Sequence, residues 1–181
     1  MIRLKTANSK ELGYIGESKE IDGVKITAVF AQHQGGRYGM DSYTWKVPGC
    51  TGYIIEYKGI TVFYAGDTTY DEFAYKYLGT KYKIDLALIP VGPCRDCETD
   101  GSYYHVASLG ALKVFDELKA DYMIPVHYGA LEYFDDANIP VYVLKDLADR
   151  YGSNSVSGLA ISKPYSESLK ILNEGEQHVF Q

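Results

Sequence analysis

Two histidines and an aspartate stand out by position: His33, Asp67 and His127 each follow an apolar run. The runs are "VKITAVFA" (24–31) leading to Gln32-His33, "ITVFYA" (60–65) leading to Gly66-Asp67, and "YMIPV" (122–126) leading to His127. Two neutral imidazoles and one carboxylate are donors that zinc, manganese or iron take in nitrogen/oxygen sites. Spacings of 34 and 60 residues exclude a local finger, so the fold has to gather the three. Taken singly each is weak, since Gly-Asp-Thr is common turn chemistry and a lone histidine is usually surface or core. The signal is joint. His178 has no strand leading to it and takes the plain reading.

The elements that must position these residues can be read from periodicity. Residues 24–31 form an expected strand, and "GYIIEY" (52–57) and "ITVFYA" flank Lys58-Gly59, an expected tight hairpin. A short helix is expected over 70–78, and "IDLALIP" (84–90) reads as a strand covered on both faces. Asp85 at its start is a strand-entry or capping residue. Val106, Leu109, Leu112, Phe115 and Leu118 recur three apart and predict a helix over 106–119. A strand at 122–126, a helix over 140–150 and a last strand at 156–161 complete the pattern; the tail after 165 is ambiguous. Strand ends on one rim of such a sheet lie near one another, where α/β proteins build sites.

The whole chain bounds the answer. Its 181 residues make one domain, 1–181, with 46% hydrophobic and 23% charged residues. A net charge of -6 argues against nucleic acid, which needs clustered cations. The 18 tyrosines predict many half-buried rings with a wet hydroxyl. No run of about 18 apolar residues exists to span a membrane, and "MIRLKTANSK" has no apolar stretch for a signal peptide. Three cysteines are not a secreted disulfide framework, so a cytoplasmic, reduced setting is expected. Cys94-x-x-Cys97 without a second pair is a weak zinc signal, with a redox or metal-sensing role as a minor reading. Arg37 could hold a substrate phosphate or carboxylate, or simply be solvated.

Together "ITAVFAQHQGGR", "GYIIEYKGITVFYAGDTTYDEF", "IDLALIPVG" and "YYHVASLGALKVFDELKADYMIPVHYGAL" resemble the metallo-β-lactamase superfamily, over residues 22–130. The likeness is to the lactonase-like and N-acylphosphatidylethanolamine phospholipase D-like metal-dependent hydrolases. It implies an α+β fold of the αββα type with two metals at one rim, His33 and His127 as ligands and Asp67 as the bridging carboxylate. It also makes Asp67 and His105 catalytic, and Arg37, His105 and Tyr128 substrate-binding, with a tyrosine hydroxyl helping to orient the electrophile. Gln34 and Tyr128 stand where the lipase-like relatives carry Trp, which argues against a phospholipid.

One departure is large. The His-x-His-x-Asp-His motif that supplies four further ligands in that family occurs nowhere in the 181 residues. The resemblance therefore implies the C-terminal half of a four-layer sandwich, one mixed sheet with helices on one face, and a partly uncovered sheet. The expected function is hydrolysis of a small-molecule ester, lactone or phosphoester by metal-activated water, incomplete in this chain alone. Zinc is the first choice of divalent metal, weakly held or absent without the missing ligands, with manganese or iron next. Self-association or pairing with a missing N-terminal half follows. The competing reading is a non-catalytic half-fold that serves binding or assembly.

Overall fold

The computed structural model describes residues 15–34, 48–102, 104–130, 136–161 and 163–180. Within them one six-stranded mixed sheet runs in chain order, β1 (Ser18–Ile21), β2 (Val24–Gln34), β3 (Pro48–Tyr57), β4 (Ile60–Tyr64), β5 (Leu86–Pro90) and β6 (Tyr122–Val126). The first three junctions are antiparallel and the last two parallel. Strands β2, β4, β5 and β6 therefore point the same way, and their C-terminal ends share one rim. Helix α1 (Glu72–Lys81) links β4 to β5 and α2 (Ser108–Leu118) links β5 to β6; α3 (Ile139–Tyr151) and the short α4 (Tyr165–Ser168) follow.

Local chemistry explains these boundaries. Lys58 (φ 48°) and Gly59 (φ 83°) take left-handed conformations between β3 and β4, the pair a two-residue hairpin demands. Asp71 caps α1 by accepting from the Ala74 amide. Asp85 accepts from the Thr61 amide at 2.7 Å, which pins the start of β5 to that of β4, the strand-entry role expected of it.

Along β5 and β6 buried and half-buried residues alternate from the first residue. Ile54, Phe63, Ala87, Ile89 and Met123 are fully buried and join Tyr75 and Leu78 of α1, Ala111, Leu112 and Phe115 of α2, and Leu144 of α3 in one core. Burying such side chains supplies about 1.5–3 kcal/mol each. Register places Ile55, Val62 and Leu86 side by side on the opposite face, with Tyr53, Tyr64 and Leu88 beside them. Those six are half-buried, except Tyr64, which is exposed. An α+β fold is thus observed, a mixed sheet with α1, α2 and α3 packed on its core face.

The expected strand at 156–161 does not form. Asp116 of α2 captures this segment instead, accepting from the Ser155 hydroxyl (2.7 Å) and from the Ser157 amide and hydroxyl (3.2 and 3.0 Å). Gly158 then turns the chain at φ 75°. Helix α1 starts two residues later than expected and runs to Lys81.

Candidate metal centre

The shared rim delivers the predicted residues one by one. His33 is the penultimate residue of β2, where the β2–β3 register shifts between Ala31 and Gln34; such a bulge re-aims a side chain at a strand end. Asp67 follows β4 across Gly66, whose φ of 65° suits glycine. His127 directly follows β6, with φ 65°, a left-handed conformation that costs a non-glycine residue about 1–3 kcal/mol. His105 sits three residues before α2 begins.

These four side chains meet. His33, Asp67 and His105 each place a ligand atom within 4.8 Å of the others. The His105 ring centroid lies 5.3 Å from that of His33 and 5.1 Å from that of His127. His127 Nε2 is 3.2 Å from Asp67 Oδ1, and its Nδ1 is 3.1 Å from the Gly92 carbonyl oxygen. Asp67 and His127 keep side-chain exposures of 45% and 31%, so the cluster opens to solvent.

A hydrogen-bonded ladder aligns the loops that carry them. The Gln32 amide donates to Thr68 Oγ1 (3.2 Å) and the Thr69 amide to the Gln32 carbonyl (2.8 Å), tying the β2 end to the Asp67 turn. The Val106 amide then donates to the Thr68 carbonyl, and the Gly92 amide to the Val106 carbonyl, both at 2.9 Å. Gln32, Thr68 and Val106 each adjoin a cluster residue in the chain, and Gly92 touches one. Thr68 is fully buried and also bonds the Tyr75 hydroxyl at 2.8 Å, so the turn is anchored in the core.

The electrostatics suit a cation. With the Gly92 carbonyl as acceptor, His127 Nδ1 carries a proton, and an unprotonated Nε2 would turn its lone pair onto that of a carboxylate oxygen. Those two lone pairs repel unless a proton or a cation lies between them. Burial lowers the His105 pKa from its usual value, and the neighbouring His127 lowers it further; Asp67 acts in the opposite sense. A neutral imidazole is the ligand form. Two imidazoles, His33 and His105, and the Asp67 carboxylate thus lie within ligand reach of one another, the donor set of a divalent metal, with His127 against the carboxylate.

Sequence reasoning singles out His33, Asp67 and His127 at strand ends; the structure sets Asp67 within ligand reach of His33 and 3.2 Å from His127. It gave His105 a place beside the substrate, whereas the geometry puts its ring within ligand reach; no strand points to it, so spacing alone held no signal. Thr68 was read only as part of a turn. Tyr128 follows His127 and lines, with Pro93 and Pro140, a slot of about 60 Å³ beside the cluster. Arg37 lies outside the described residues. Cys94 and Cys97 are bonded to each other as a disulfide, with Cα atoms 5.2 Å apart, so their sulfurs are not free to ligate a metal. This corrects the expectation of a reduced pair.

With this geometry in view, comparison with known proteins is informative. The model of the Beta-lactamase superfamily domain matches residues 4–128, and the chain belongs to that family. It is 34% identical over 121 residues to a UPF0173 metal-dependent hydrolase of Cupriavidus metallidurans, covering 60% of this chain and 36% of that one. A namesake from Thermococcus onnurineus is 33% identical over 115 residues, covering 60% and 42%. Among solved structures, Igni18, a metallo hydrolase of Ignicoccus hospitalis, shares the fold with a TM-score of 0.53 at 22% identity, over 84% of this chain and 57% of that one. The isothiocyanate hydrolase from Delia radicum gut bacteria reaches 0.58 at 16% identity, over 90% and 57%. The chain thus spans well under two thirds of the length of each relative. No helix among the described residues is long and apolar enough to cross a membrane.

Proposed function

We propose that this chain carries the metal-binding rim of a hydrolase that cleaves a small-molecule ester, lactone or phosphodiester. The observation that supports this best is the convergence of His33, Asp67, His105 and His127 from four separate connections onto one rim. A divalent ion held there, zinc by donor type, supplies a Lewis acid and a water acidified to a pKa of about 7.

The chain's own residues do the rest. Asp67, the only anion of the four, would hold the cation. The Gly92 carbonyl fixes the His127 tautomer so that Nε2 faces the centre, as an outer partner does for a ligating imidazole. His105 is half-buried and kept neutral by burial, so it either ligates or takes a proton from the attacking water. The Tyr128 hydroxyl is raised by burial and remains a donor at neutral pH, suited to orient a carbonyl or phosphoryl oxygen. Arg37 completes the proposal as an anchor for a substrate anion.

Full activity, on this reading, needs a second segment that brings the His-x-His-x-Asp-His ligands and covers the apolar face bearing Ile55, Val62 and Leu86. The chain's partial span of its relatives supports that. The test is turnover of bis(4-nitrophenyl) phosphate, 4-nitrophenyl acetate and a lactone by the zinc-loaded chain, alone and with the N-terminal part of the Cupriavidus relative. The expected result is slight turnover alone, a rise on addition, and loss in Asp67→Ala. No turnover in either mixture, with light scattering showing an unpartnered monomer throughout, would favour a non-catalytic module.

A further inference from the structure

The Cys94–Cys97 disulfide has no part in the hydrolytic reading, yet it closes the loop on which half of the cluster leans. Residues 92–102 pack directly against the segment that carries His105 and starts α2. The Leu109 amide donates to the Cys97 carbonyl and the Gly110 amide to the Thr99 carbonyl, both at 3.2 Å. These are first-turn donors of α2, which has no side-chain cap, so the loop takes the cap's place. The Ser102 amide donates to the His105 carbonyl at 2.9 Å.

The fit is close enough to exclude a methyl group. A Cβ on Gly101 would lie 2.4 Å from the His105 carbonyl oxygen, and one on Gly110 would lie 2.1 Å from that of Asp100. The same loop begins at Gly92, whose carbonyl orients His127. Both His105 and His127 therefore take their positions from a loop stapled by one covalent bond.

The two sulfurs are not equivalent. Cys94 is half-buried, whereas Cys97 is only 5% exposed, beneath the loop. We propose that this disulfide is a thiol-exchange site: a small-molecule thiol of the glutathione class attacks Cys94, and full reduction loosens the loop that positions His105. The incoming thiolate sulfur bonds to Cys94 Sγ as the Cys94–Cys97 bond breaks. Cys97 leaves with the electron pair and takes up a proton. A second thiolate then attacks the sulfur of the thiol bound to Cys94; their disulfide forms as the bond to Cys94 Sγ breaks, and Cys94 leaves with the electron pair and takes up a proton, so two electrons pass from the thiol pair to the cysteine pair. The exchange stands on the loop geometry alone; its consequence for the centre rests on the metal reading above.

The test uses the full metal-free chain. Brief exposure to glutathione, quenching with iodoacetamide and peptide mapping should find glutathione on Cys94 and the alkyl group on Cys97. After full reduction and alkylation, hydrogen exchange at Leu109 and Gly110 should quicken at least about fivefold, with β5 unchanged. Cys94→Ser/Cys97→Ser should reproduce that pattern. A disulfide inert to thiols in the folded chain, glutathione found on Cys97, or exchange rates unmoved in both reduced and double-variant protein would overturn the proposal. Zinc affinity should also fall about tenfold in the double variant. A chain that binds no zinc in either state sinks the hydrolase reading, while the exchange rates still decide this one.

Discussion

His127 Nε2 faces Asp67 Oδ1 across 3.2 Å while the opposite nitrogen of the same ring is engaged by the Gly92 carbonyl. The two side chains come from residues 60 apart in sequence and from strands that are not neighbours in the sheet. A proton on Nε2 or a bound cation satisfies that pair. The backbone of His127 is held in a left-handed conformation to make it.

That conformation separates function from stability. Asn tolerates φ near 65° but is a poor replacement for imidazole as a ligand. His127→Asn should leave the denaturation midpoint within the equivalent of about 1 kcal/mol, yet weaken zinc binding at least about tenfold. Urea unfolding and zinc titration, run in parallel, check both halves.

Thr68 is the buried joint between the β2 end and the Asp67 turn. Thr68→Val keeps the shape but takes the acceptor from the Gln32 amide and one of two partners from the Tyr75 hydroxyl, which keeps the Thr69 carbonyl. Leaving buried donors unsatisfied costs about 1–3 kcal/mol. Unlike His127→Asn, this variant should lose stability and zinc affinity together.

Tyr165 should be purely structural. Fully buried, its hydroxyl donates to Asp116 and accepts from the Val156 amide at 3.0 Å. Tyr165→Phe should cost about 1–3 kcal/mol in urea unfolding and leave zinc affinity unchanged.

Glu117 gives a pH signature. It is 1% exposed; Oε1 accepts from the Tyr70 hydroxyl, and Oε2 has no hydrogen-bond partner among the described residues. Burial raises its pKa above the ordinary 4.5, while the Tyr70 hydrogen bond opposes the rise. A group raised in the folded state binds its proton more tightly there. Its contribution is therefore fully present below pH 4.5 and lost as pH climbs through the raised value. Glu117→Gln removes the titration, so its stability relative to the parent should improve as pH rises from 4 to 8. Thermal melts across that range check the sign, and a flat difference would refute it.

Much of this was legible in the sequence because apolar strands announce their own ends. β6 was read to the residue, and three of the four cluster members followed from strand termini. His105 came only from the family resemblance, because its position depends on the β5–α2 loop folding back, which no periodicity encodes. The segment 156–161 misled because its apolar Val156, Leu159, Ala160 and Ile161 suggest a strand, while its fate is set by Asp116, some 40 residues earlier. The disulfide was missed because an odd cysteine count was read as a reduced set.

The central claim is that four side chains share a cation. Zinc content after saturation and dialysis, measured by elemental analysis for the parent, Asp67→Ala and His105→Ala, tests it most directly. About one zinc per chain in the parent and a marked loss in both variants is the predicted result. A parent that retains none, or variants that retain as much as the parent, would contradict it.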